Sequence, residues 1–143
     1  MTILRKFSIG IIDTSGLKYS HNSVETEFLP PAQSAIINIA ESLFEFDFFV
    51  TVLNARRNSG LYNYVNYQPL ESLNRRDYQF DIVISVDSVL PFDPNGDPIY
   101  QQIQRPDQLK ILWSHSRDVV GGENLEKFIV NKNINELIAA TSN

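Results

Sequence analysis

The chain contains no cysteine. That excludes a disulfide framework, a thiolate zinc site and a cysteine nucleophile. It fits a reducing compartment, and a cytoplasmic location is the expectation. Histidine is nearly as scarce: there are two, and His21 and His115 lie far apart in sequence. No metal-ligand spacing is visible, so no metal is expected. Glycine is thin, with six in 143 residues. Near the first apolar run only Gly10 and Gly16 occur, so the three spaced glycines of a dinucleotide fingerprint are missing, and there is no P-loop lysine motif. Positive charge is in deficit, 12 Lys and Arg against 17 Asp and Glu, for a net charge of −5. Phosphate binding needs clustered cations, so general nucleic-acid affinity is not expected, and the pairs Arg56-Arg57 and Arg75-Arg76 read as solvated faces. Long apolar runs are missing too. Phe7 to Ile12 is too short for a signal-peptide core or a bilayer span and reads as a buried strand.

What is there has the composition of one globular domain: 43% apolar and 20% charged residues over a length that supports a full core. No repeat or linker interrupts it. Short apolar runs alternate with helix-period segments, the pattern of βαβ units and a parallel sheet. The strands expected are Phe7–Ile12, Phe48–Leu53, Phe80–Val86 and Lys110–Ser114, with a weaker one at Val65–Tyr67 before Pro69 and a last one at Ile134–Thr141. The clearest helix starts at Pro30-Pro31, where proline loses no intrahelical bond. Its apolar stripe runs Ala32, Ala35, Ile36, Ile39, Ala40, Leu43, widened by Ile37 and Phe44. Asn54–Tyr64 reads as a polar loop or poor helix, Leu70–Arg76 as a helical turn or two, Pro91–Pro98 as a loop, and Glu123–Val130 as a short helix entered from Gly121-Gly122. The fold class expected is α/β: a Rossmann-like, mainly parallel sheet with helices on both faces, in a single domain.

In open α/β sheets ligands sit at the carboxyl ends of the strands. Those ends are Asp13–Gly16, Asn54–Arg57, Val86–Ser88 and Ser114–Asp118. His115 follows a buried strand directly. A neutral imidazole there can accept a proton or hydrogen-bond a hydroxyl, and Asp118 three residues on can orient it. Asp13-Thr14-Ser15-Gly16 reads as a polar turn rather than a phosphate cradle. The aromatic group Phe44, Phe46, Phe48, Phe49 reads as core and sheet cover.

Ala35-Ile36-Ile37-Asn38-Ile39-Ala40-Glu41-Ser42-Leu43, followed by Val50-Thr51-Val52, resembles the first helix and second strand of nucleotide-sugar-dependent glycosyltransferases of the two-domain GT-B type. Phe80-Asp81-Ile82-Val83-Ile84-Ser85 resembles their Y-D-I-V strand. Lys110-Ile111-Leu112-Trp113-Ser114-His115 resembles their strand ending in Trp-x-His, and Ile134–Ser142 resembles the strand before their first-domain exit. The similarity runs through nearly the whole chain. It implies that residues 1–143 are the N-terminal, acceptor-side domain, and that a C-terminal domain supplies most of the nucleotide-sugar contacts. By that resemblance His115 and Asp118 are catalytic, and Ser15, Gly16, Tyr19, Ser20, Gln33 and Ser114 bind substrate. The partner is a sugar or other hydroxyl acceptor, the nucleotide sugar is a co-substrate, and the diphosphate leaves without a bound metal. The chain departs from the family at Pro30-Pro31, where two glycines belong, and at Gln33, where a glutamate belongs. Prolines carry no N–H and cannot approach a phosphate as glycines do. One domain alone is expected to be inactive. The competing expectations are a non-catalytic Rossmann-like binding module and another doubly wound enzyme, nucleotide-binding or methyl-transferring. The missing glycine pattern counts against the last.

Overall fold

The computed structural model describes residues 7–20, 30–56, 59–115 and 119–139. They form a single α/β domain around one seven-stranded sheet. In chain order the elements are β1 (Ser8–Asp13), α1 (Pro31–Glu45), β2 (Phe49–Asn54), β3 (Gly60–Tyr62), β4 (Val65–Pro69), β5 (Ile82–Val86), α2 (Pro98–Gln101), β6 (Leu109–Ser114), α3 (Leu125–Val130) and β7 (Glu136–Ala139). Single 3₁₀ turns occur at Leu70–Asn74, Leu90–Phe92 and Gly122–Asn124. The sheet order is β3-β4-β2-β1-β5-β6-β7. Every pairing is parallel except β3 with β4. Without β3, the six parallel strands run in the Rossmann order, in which direction reverses beside the first strand. Here that switch falls between β1 and β5.

β1 and β2 are apolar without alternation because both of their faces are covered. Successive side chains point to opposite faces, and two buried clusters result. Ile9 and Ile11 join Val50, Val52, Val65 and Tyr67 beneath Ile36, Ile37 and Ala40 of α1. Ile12 joins Leu53, Phe80, Val83 and Leu112 with Leu73, Phe92, Ile103, Phe128 and Ile134 from the connections. α1 buries Gln33, Ile36, Ile37 and Ala40, while Ile39 is exposed. The stripe is thus rotated from the one expected, and it starts on a polar residue.

One position in the sheet is fixed by close approach. A Cβ at Gly10 would stand 2.5 Å from the Phe80 ring, so β1 has no room for a side chain there. β3 occupies part of the segment read as loop. It is one arm of a hairpin whose turn residues Asn63 and Tyr64 both have positive φ, 48° and 65°. β4 runs two residues further than expected, to Pro69. β7 begins at Glu136, and Ile134 before it is buried against the second core.

Candidate functional site

The carboxyl ends of β1, β2, β5 and β6 lie side by side because the register pairs Asp13 with Val86 and Val86 with Trp113. Asp13 closes β1 almost fully buried, at 1% exposure. Its carboxylate accepts from the Ser15 amide at 2.9 Å, the Tyr19 hydroxyl at 2.6 Å and Gln33 Nε2 at 3.3 Å. The first of these bonds makes an Asx turn, and Gly16 follows at φ 87°. Gln33 Nε2 also lies 3.5 Å from Ser15 Oγ. The turn after β1 is therefore held to the first turn of α1. Tyr19 and Ser20 are both buried there. Burial raises the Tyr19 phenol well above its ordinary value, and the Asp13 charge adds to that.

β2 contributes Asn54, fully buried, which donates to the Tyr19 carbonyl at 3.0 Å and accepts from the Arg56 amide at 2.9 Å. The Arg56 guanidinium lies 5.1 Å from the Tyr62 ring and 5.7 Å from the Tyr67 ring, a cation–π arrangement that ties the β3–β4 hairpin to this edge. It also reaches the Tyr19 carbonyl at 3.4 Å.

On the other side of the switch, the amide of His115 donates to Asp87 Oδ1 at 2.6 Å. The imidazole leans on Trp113, with centroids 4.4 Å apart. His115 Nδ1 is shielded from solvent and makes no hydrogen bond. Ser114, half-buried, pairs with Ala139 at the end of β6.

Of the residues singled out from sequence, Ser15, Tyr19 and Gln33 converge on Asp13. Ser20 and Gly16 belong to the same loop. Ser114 and His115 stand at the same edge two strands away, across β5. Asp118 lies outside the described residues. Asn54, Arg56 and Asp87 join the site without having been assigned a role from sequence. Their position just past a strand was the available signal.

The arrangement is poorly suited to phosphates. Asp13 places a negative charge where a dinucleotide fold keeps glycine amides. Pro30 and Pro31 carry no N–H, and the Gln33 and Ser34 amides are taken by the Pro30 carbonyl. The α1 N-terminus thus keeps little of the donor capacity an anion requires. Among the described residues no three His, Asp or Glu side chains group as metal ligands, and no helix is long and apolar enough to cross a membrane. Protein-family models, curated proteins and solved structures give no match to this chain.

Proposed function

We propose that the chain is the acceptor-side, Rossmann-like domain, helix-covered on both faces, of a cytoplasmic two-domain glycosyltransferase. The enzyme moves a sugar from a nucleotide sugar to an acceptor hydroxyl. The observation that carries this reading is the buried, unpartnered Nδ1 of His115 at the carboxyl edge beside the switch between β1 and β5. An imidazole so placed is an acceptor or donor for a ligand hydroxyl, and ligands of such sheets gather at this crevice. The Asp13–Tyr19–Gln33 cluster is the buried support of the same edge nearest α1. The diphosphate contacts belong to a C-terminal domain, since the Asp13 turn and the Pro30-Pro31 entrance offer no phosphate cradle. That second observation also favours the alternative, a non-catalytic binding module.

The test has two arms. Incubating the purified chain with a panel of nucleotide sugars and glycoside acceptors is expected to give no transfer, and robust turnover defeats the half-enzyme reading. Titrating the ¹⁵N-labelled chain with methyl glycosides is expected to move the His115 resonances. A silent His115 across the panel removes the acceptor role.

A further inference from the structure

β5 ends in a turn of unusual hand. Asp87, the residue after Val86, has φ 55°, in the left-handed region that few side chains adopt. In a parallel pair a residue that donates its N–H to one partner accepts from the amide two residues further along. Asp87 begins this pattern: its N–H donates to the Trp113 carbonyl at 3.0 Å. The regular continuation has the Asp87 carbonyl accept from the His115 amide. That carbonyl instead accepts from the Val120 amide at 2.9 Å. The His115 amide goes to Asp87 Oδ1, at 2.6 Å. The side chain of Asp87 has taken over the ladder position that its own backbone gave up.

Aspartate meets both demands of the position. Its short side chain tolerates the left-handed backbone, and its carboxylate is an acceptor that reaches one residue beyond the end of the strand. Glycine supplies the conformation without the acceptor. Alanine supplies neither, and asparagine supplies both without the charge. The peptide plane of His115 is therefore set by a side chain. Its ring continues from that plane onto Trp113, with Nδ1 buried and unpartnered.

We infer that Asp87 is a positioning residue: by holding the His115 amide in place of a ladder carbonyl, it fixes the imidazole for a hydrogen bond to a ligand hydroxyl. The ligand half of this statement rests on the function proposed above. The geometric half does not.

The experiment compares Asp87→Asn, Asp87→Gly and Asp87→Ala with the parent chain by ¹⁵N NMR, using His21→Gln to assign the two imidazoles. In the parent the His115 amide proton is expected at low field and slow to exchange. Asp87→Asn keeps most of that protection. Asp87→Gly, which relieves the backbone and stays folded even if the alanine variant does not, speeds His115 amide exchange roughly tenfold or more, the size of a charged hydrogen bond. Val120, bonded to the backbone carbonyl, keeps its protection in the same variant. A purely structural role would instead loosen both amides together. With methyl glucoside, mannoside and galactoside as probes, Asp87→Gly weakens the His115 response about tenfold and Asp87→Asn restores it to within a few-fold, following the same hydrogen bond. An unchanged His115 amide in Asp87→Gly, or equal glycoside response in all variants, overturns the inference. If no glycoside moves the parent's His115, the functional reading fails while the amide comparison still decides the role of Asp87.

Discussion

The Tyr19 hydroxyl donates to the buried carboxylate of Asp13 at 2.6 Å, and the Tyr19 carbonyl receives Asn54 at 3.0 Å. One residue thereby joins the ends of β1 and β2 at its two poles. Removing the hydroxyl leaves a buried carboxylate with one donor fewer. Tyr19→Phe is expected to lower stability by about 1.5–3 kcal/mol, the range for hydrogen bonds to charged groups. Urea unfolding checks it through a lower midpoint at unchanged slope.

Tyr67 is the opposite case. Its hydroxyl is fully buried, lies near Arg56 and Glu41, and has no hydrogen-bond partner. Tyr67→Phe keeps the ring, its edge contact with Tyr62 and its packing under α1. It relieves an unpaired polar atom, so stability is expected to rise by roughly 1 kcal/mol. A fall in the urea midpoint would show that the hydroxyl has a partner in solution.

The same two tyrosines set an alkaline limit. Burial raises both phenols above the ordinary value of 10.0, with Asp13 adding for Tyr19 and Glu41 for Tyr67. A raised pKa means that the folded chain holds a proton the unfolded chain releases. The stability this contributes is complete below pH 10 and is lost as pH climbs from there toward the folded values. Urea midpoints measured at pH 9 and pH 11 are expected to fall between the two. The drop is expected to be smaller in Tyr67→Phe, because one of the linked groups is gone.

Gly10 faces the Phe80 ring with no space for a methyl group. Phe80 is itself buried and stacked on Tyr78 at 5.0 Å, so it has little freedom to withdraw. Gly10→Ala is expected to destabilise by about 1–3 kcal/mol through overpacking. Gly10→Ala combined with Phe80→Leu is expected to lose less than the sum of the single changes, and thermal melts of the four chains complete the cycle.

The parallel core was legible in the sequence for a physical reason. β1, β2 and β5 lie inside the sheet and bury most of their residues, and each reads as a mainly apolar, β-branched run bounded by polar turns; β6 keeps that signal in Ile111-Leu112-Trp113 despite Lys110. β3 was not legible. It is three residues long, and its turn depends on Tyr64 at positive φ, a conformation that tyrosine does not advertise. Gln33 was read as a helix-entrance residue, but its burial against Asp13 follows from how α1 packs back over β1. At the site, strand-end placement pointed to His115 and the Asp13 turn. The parts played by Asn54 and Asp87 depend on which strands become neighbours and on one left-handed residue, and neither is written in local periodicity.

The placement of β1 also bears on how the chain is made. One neighbour, β2, follows after a single helix. The other, β5, is so distant that the Ser8 amide meets the Asp81 carboxylate across 73 positions. During synthesis at ordinary translation rates, one flank of the central strand stays open for roughly 4 to 15 seconds. Ile9, Ile11 and Ile12 are on the ribosome's product through that interval before their second partner exists. The order in which this sheet is threaded thus leaves its centre half-paired until the β5 segment has been made.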